Sequence, residues 1–349
     1  MSHSGYSSYA SSKLKSALRS FLPVFEISEV GDVRALLDGV LRSDADIAAN
    51  VRYVSWKTRV SPAHTSMSIT YFEKTHYAVS VVYTASQLED ELHACCRELI
   101  EKKVLLVRDT LDGNKIISDY VDVFGSFYPG VKNFSRTWTK GLPIKGFYRL
   151  ELNIIYRASV AELSYLDICV KRELAKLKIK LFLPDMPPVV KAYVAHNYLA
   201  KEVRYSKARE DDPMSKIYVQ CAYGALVRKR CVCQGYAEAY KLLLNDQGVP
   251  CEVVTGVVKG STGSHAWNMI STDGKNFYHV DVTWDSLDDG GKRDKYFALR
   301  DDELRSSRTW NKKRWLKSGC DDLLAQARAI VAAERRSYAA RGVPLKYLD

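Results

Sequence analysis

The chain has 349 residues, of which 46% are hydrophobic and 27% charged, a mix that lets a globular protein bury a core and excludes a wholly disordered chain. Lys and Arg outnumber Asp and Glu by 52 to 41, giving a net charge of +11; no clustered basic and aromatic reading motif accompanies it, so nucleic acid is not expected as a partner. No stretch reaches the roughly 18–20 apolar residues of a membrane span, and the first residues lack the apolar run of a secretory leader. Eight cysteines at irregular spacings suit a reducing compartment rather than a disulfide framework. The expectation is a cytoplasmic protein of two domains with no membrane partner.

Residues 1–20, rich in Ser and Tyr, read as a disordered or frayed lead. Residues 21–185 read as an α+β domain in which two segments look alike. The alternating stretch from Tyr77 runs into a helix, and so does the one from Leu150. Ser86 with Glu89 and Ser159 with Glu162 have the spacing of capping boxes, seventy-three residues apart, and Cys96 falls on Cys169 at that offset. The expectation is a repeated strand–helix unit whose apolar helix faces (Leu88, Leu92, Cys95, Leu99; Leu163, Leu166, Cys169, Val170) pack on a sheet. Nothing in this half suggests chemistry; recognising substrate or covering a cleft is the role open to it.

Asp185-Met-Pro-Pro marks a boundary, because two prolines interrupt hydrogen bonding and can open a helix. The second domain, 186–318, begins with helical periodicity over 189–203 and again over 215–228. A helix from about Gly235 to Asn245 stops at Gly248 and Pro250, and a strand follows over 251–259. A hairpin is expected from Ser264–Ile270 and Asn276–Trp284. Between Arg305 and Lys317, Arg308, Lys312, Lys313 and Arg314 alternate with Trp310 and Trp315, and this stretch reads as a solvated basic face. Residues 319–349 carry a basic amphipathic helix, about Asp321 to Arg341.

Thiol catalysis needs a thiolate, a base that takes and returns a proton, and a group that orients the base. Cys233 sits where a loop becomes a helix, so the helix field and free amide hydrogens favour its thiolate. His265 and Asp281 follow at intervals of thirty-two and sixteen residues, one on each hairpin strand. A two-residue turn would put them on opposite faces. A three-residue turn Thr272-Asp273-Gly274, with glycine in the left-handed position, sets His265 directly across from Asp281. The Cys233 backbone N–H is the natural first oxyanion donor; for the second, Gln220, Gln234 and Asn197 all stay open.

Val232-Cys233-Gln-Gly-Tyr-Ala, His265-Ala-Trp-Asn and Tyr278-His-Val-Asp281-Val-Thr-Trp284-Asp resemble the three signature blocks of the transglutaminase-like superfamily, papain-like thiol enzymes that cross-link, cleave or deamidate proteins. His196 to Tyr205, Tyr223-Gly-Ala-Leu and Tyr296-Phe are similar to flanking segments of bacterial members, so the likeness runs over about 189–310. It implies a papain-like α+β core, in which the nucleophile helix packs on an antiparallel sheet. It also implies Cys233 as nucleophile, His265 as general base and then acid, and Asp281 as orienter, with Trp284 covering the His–Asp pair from water.

The substrate would be a protein or peptide amide, and the activity that of a peptidase, deamidase or transglutaminase. No cofactor is implied. The alternative is a transglutaminase-like binding or scaffold protein without catalysis. Trp267 shares the face of His265 and could line the substrate cleft. A zinc site from Cys231, Cys233, Cys251 and His265 is disfavoured, since Cys-x-Cys lacks the usual gap. Cys231 reads as core or as one half of a regulatory disulfide. His279 reads as structural, or as a group that tunes the site, and Tyr236 and Tyr240 read as packing.

Overall fold

The structure, a computed structural model, describes residues 8–28, 31–59, 64–73, 78–124, 128, 130–206, 213–261, 263–287, 294–310 and 319–349. The chain divides into two compact units. The first comprises Met1–Asp122 and Val131–Tyr156, and the second Val123–Gly130 and Arg157–Asp349.

The first unit runs α1 (Ser8–Arg19), β1 (Val24–Ser28), α2 (Val33–Ser43), α3 (Ala45–Asn50), β2 (Val51–Arg59), β3 (His64–Tyr71), β4 (Ser80–Val82), α4 (Ala85–Arg97), β5 (Lys102–Arg108), α5 (Gly113–Phe124), β6 (Val131–Thr139) and β7 (Phe147–Tyr156). It holds an antiparallel sheet of order β1-β3-β2 and a mixed sheet of order β4-β5-β7-β6. Of the residues expected to fray, Ser8–Arg19 form α1, and residues 1–7 lie outside the described residues. Ala10, Leu14, Ala17 and Leu18 recur at helical spacing and are buried, and Ala10, Leu14 and Leu18 join one core with Leu37, Met67 and Leu106. A single apolar stripe was enough to order a segment whose Ser and Tyr content reads as polar.

In both look-alike segments a strand runs into a helix, β4 into α4 and β7 into the helix after it, but the two do not match in detail. α4 is capped by Thr84 and Gln87, two residues before the expected Ser86 and Glu89, and only the Ser159–Glu162 box forms as read. The helix after β7, α6 (Val160–Leu181), gives Val170, Leu177 and Leu181 to the core of the second unit. The division therefore falls after Tyr156 rather than at Asp185, because a 22-residue helix follows its apolar face and not the proline pair beyond its end.

The second unit continues with α7 (Pro188–Glu202), β8 (Arg204–Tyr205), α8 (Pro213–Gln220), α9 (Ala222–Leu226), β9 (Arg230–Cys231), α10 (Cys233–Asn245), β10 (Cys251–Val258), β11 (Ser264–Ile270), β12 (Tyr278–Val280), α11 (Val282–Leu287), α12 (Asp301–Leu304), β13 (Arg308–Trp310) and α13 (Leu323–Ala340). The expected helix over 215–228 breaks at Cys221, where the Glu238 carboxylate takes the Ala222 amide at 3.0 Å. α13 is no separate appendage: Leu323, Ala327, Val331 and Tyr338 lie in the same core as α7 and α10.

The sheet has the order β12-β11-β10-β13 and is antiparallel throughout. α10 lies against β10 and β11: Ala237 packs with Val253 and Ala266, and the Asn268 amide donates to the Ala237 carbonyl at 2.9 Å. The tyrosines of α10 anchor it on its other side. Tyr236 donates to the Val203 carbonyl and Tyr240 to that of Ala192, at 2.7 and 3.0 Å. The opposite sheet face carries Val254, Trp267 and Met269 in a second apolar layer with Phe277 and Leu304.

β10 approaches β13 closely because Gly256 has no side chain. A Cβ there would stand 2.2 Å from the Thr309 carbonyl oxygen and 2.7 Å from the Trp267 ring, and Gly256 pairs with both His265 and Trp310. Gly256→Ala is therefore expected to cost about 1–3 kcal/mol of stability through overpacking, read as a lower denaturation midpoint. An unchanged midpoint would show that β13 can withdraw freely.

Candidate functional site

Cys233 is the first residue of α10, after the extended N-cap Val232. The chain is held there from behind: the Val232 amide donates to the Val219 carbonyl at 2.9 Å. Gly235 permits the fit, since a Cβ would meet Cys231 at 2.6 Å and the Cys221 carbonyl at 2.9 Å. The thiol rests on Ala237, Val253 and Ala266, accepts the Ala266 amide, and hydrogen-bonds the His265 ring. His265 is the second residue of β11, so its imidazole lies at the strand end next to the start of α10.

The hairpin register differs from the expected one by two residues. Asn268 pairs with Val280, Met269 with His279 and Ile270 with Tyr278, so the turn is centred on Gly274, whose φ is +74°. The cause is Asp273, whose carboxylate takes the amides of Lys275 and Asn276 at 2.8 Å each and extends the turn forward. A shift of two keeps every side chain on its face. His265 and Asp281 thus stay on one side and meet at 2.8 Å between Nε2 and Oδ2. β12 ends at Val280, and Trp284 lies in α11 rather than on the strand.

Asp281 is 1% exposed and accepts three donors. His265 Nε2 and Arg308 Nη2 both reach Oδ2, and the Trp284 amide reaches Oδ1 at 3.2 Å. Burial alone would raise its pKa, but the charges and hydrogen bonds of His265 and Arg308 win and hold it below the ordinary carboxylate range. For His265, burial works against the charged form; the Asp281 charge and hydrogen bond, joined by Cys233, overcome it and lift the imidazole to about 9. Burial likewise pushes the Cys233 thiol up, yet His265 and the Ala266 amide bring it below its usual value. The three side chains form one coupled system that favours a thiolate beside a protonated ring. Cys231, two residues earlier and fully buried, is raised well above the ordinary thiol range by desolvation and stays an inert core thiol.

Trp267 does not line an open cleft. It is 1% exposed, stacks on the His265 ring with centroids 5.8 Å apart, and donates its indole N–H to His279 Nδ1 at 3.0 Å. A donor-only indole fixes that nitrogen as the acceptor, so His279 Nε2 carries the proton toward Asp301 Oδ1, 3.0 Å away. His279 is thus a strut, and burial lowers its pKa. Trp284, half-buried, stands edge-on to His265 at 6.5 Å, on the flank where shielding was expected.

Of the amides weighed as oxyanion donors, Asn197 is committed elsewhere, giving its N–H groups to the Tyr347 and Asp349 carbonyls. Gln234 donates to Glu238 at 3.1 Å. The side chain of Gln220, exposed at the end of α8, makes no hydrogen bond among the described residues, and Gln220 adjoins Val219, the residue that receives the Val232 amide.

Arg308 is the residue that composition hid. Read as part of a solvated basic face, it is 1% exposed; Lys312, Lys313, Arg314 and Trp315 lie outside the described residues. The usable signal was alternation: in Arg308-Thr309-Trp310 the first and third residues face inward, as on a strand. No group of three or more metal-ligating side chains gathers among the described residues, and no described helix is long and apolar enough to cross a membrane.

This geometry lies largely within a segment that known families share. Residues 176–282 match the transglutaminase-like superfamily. The transglutaminase-like segment contains Cys233, His265 and Asp281 and ends before Trp284 and Arg308. Among solved structures, a crystal structure of a TGase is similar at 16% identity and a TM-score of 0.27, with 62% of each chain covered. A proposed protease from Parabacteroides distasonis is similar at 10% identity and a TM-score of 0.25, over 63% of this chain and 49% of its own. The chain thus spans less than two thirds of either structure. No curated protein matches it.

The proton inventory predicts two pH signatures. Iodoacetamide should label Cys233 below the ordinary thiol pKa of 9.0, and the labelling rate should change again as His265 deprotonates near 9. A single step at the ordinary thiol value would contradict the pairing. For stability, the raised His265 value contributes in full below 6.5 and is lost as pH rises through about 9. The lowered Cys233 value contributes above 9.0 and is lost as pH falls through it.

Proposed function

We propose that the protein is a thiol-dependent acyl-transfer enzyme acting on protein or peptide amides through a Cys233 thioester. The observation that supports this best is the hydrogen-bonded line from the Cys233 thiol through His265 to the buried Asp281 carboxylate, in a segment that matches the transglutaminase-like superfamily. With His265 already holding the proton, the Cys233 thiolate attacks the carbonyl carbon of a glutamine side chain or a peptide bond. The carbonyl electrons move onto oxygen, which the Cys233 backbone N–H at the start of α10 stabilises. The intermediate collapses to a thioester as the leaving nitrogen receives the proton from His265. Water or an amine then adds to the thioester, giving a proton back to His265 and releasing Cys233.

Asp281 keeps its charge through both steps and holds the imidazole in the tautomer that presents Nδ1 to sulfur. Gln220 is the second oxyanion donor in this reading, since no hydrogen bond commits its side-chain amide among the described residues. Hydrolysis and cross-linking share every step up to the thioester; the acceptor that reaches it decides the product.

Incubating the protein with a glutamine-bearing protein, with and without a primary amine, and reading masses separates the activities. An amine adduct means transfer, a gain of about one dalton means deamidation, and chain cleavage means a peptidase. Cys233→Ala should abolish all three, while Asp281→Asn should lower turnover by up to roughly 10⁴-fold. Gln220→Ala should lower it by about 10²–10³-fold with Cys233 labelling intact. No product with any substrate, together with no enhanced labelling of Cys233, would favour the non-catalytic scaffold instead.

A further inference from the structure

We infer that Arg308 is a positioning residue for this site: its guanidinium neutralises Asp281 at the oxygen that also accepts from His265 and so sets how readily the imidazole exchanges its proton. The inference rests on the proposed roles of Cys233, His265 and Asp281. Arg308 opens β13, paired with Val258 across the strand that Gly256 allows to come close. Its Nη2 donates to Oδ2 of Asp281, the same oxygen that accepts from His265 Nε2, while Nη1 donates to the Ser307 hydroxyl at 2.9 Å. The guanidinium carbon lies 4.7 Å over the Trp284 ring, 4.9 Å from that of Tyr296 and 6.0 Å from that of Trp267. Three π-faces thus replace the water it has lost.

The arrangement is costly for a merely structural part. Arg308 Nε is buried without a hydrogen-bond partner among the described residues, and a buried ion pair is in general no more stabilising than apolar side chains of the same volume. What the cation does is chemical. A carboxylate facing His265 alone would favour the imidazolium so strongly that the ring would surrender its proton reluctantly, whereas a general acid works best near the operating pH. Sharing one oxygen between His265 and Arg308 divides the Asp281 charge, keeping the carboxylate ionised and oriented while easing its hold on the ring.

The other titratable groups around this centre are Cys233 on α10, which acts on His265, and His279 on β12 with Asp301 of α12 and Asp285 on α11; His279 and Asp285 feel the Asp281 charge. His279 pairs with Asp301, and Asp285 with His196 at 2.8 Å. Arg308 is therefore the cation that shares the Asp281 carboxylate with His265.

The test is the pH profile of Cys233 alkylation and of turnover in Arg308→Lys, Arg308→Gln and Arg308→Met. Without the cation, in the Gln and Met proteins, the alkaline limb should move up by roughly one pH unit, and kcat should fall with KM little changed. The Lys protein should keep the limb close to wild type. The Gln side chain retains an N–H for Asp281 and carries the test if the Met protein does not fold. A limb that stays in place in the folded Gln protein, whatever its stability, overturns the inference. A wild-type profile with no limb near 9 would overturn the catalytic reading beneath it instead.

Discussion

The second unit is organised around a single carboxylate. Asp281 is buried where water cannot solvate its charge, and it persists there only because three donors from three elements converge on it: the His265 ring on β11, the Arg308 guanidinium on β13 and the Trp284 amide on α11. Removing one member of a buried charge pair leaves the other uncompensated, at about 3–5 kcal/mol. The positions of two strands and a helix are therefore coupled to the geometry of one side chain, and so is the ring that faces the thiol.

The supports beyond that node follow from the same requirement. A charged imidazole needs a ceiling and a floor that do not shift, and Trp267 and Trp284 supply them. Trp267 is itself fixed by a hydrogen bond to His279, and His279 by Asp301. A buried ring that is bonded at every polar atom has no alternative rotamer to occupy. On the thiol side the control is the reverse, an apolar seat of Ala237, Val253 and Ala266 with one backbone amide. Between these walls Cys231 and Cys233, two residues apart, are driven in opposite directions, the first chiefly by burial and the second by its proton partner.

Much of the second unit was legible in the sequence because its signals are local. Strand Ser264–Ile270 has the expected bounds, and α10 begins at Cys233, two residues before its expected start. Even parity between His265 and Asp281 survived a mistaken turn, since a displacement of two residues preserves faces. The errors came where tertiary partners decide. Capping at Thr84 rather than Ser86, the order imposed on α1, the assignment of α6 to the second unit and the end of β12 at Val280 all depend on what a segment packs against. Arg308 was hidden for a related reason: a lone cation inside a basic run looks solvated until the aromatic rings that enclose it are brought together by the fold.

The central claim is that Asp281 holds His265 as the protonated partner of the Cys233 thiolate. The most direct measurement is a pH titration of the His265 ring nitrogens by NMR in the intact protein. The account predicts an imidazolium at neutral pH that loses its proton near 9, with the transition falling to lower pH in Cys233→Ala. A ring that is already neutral at pH 7, or whose titration ignores the loss of the thiol, would contradict it.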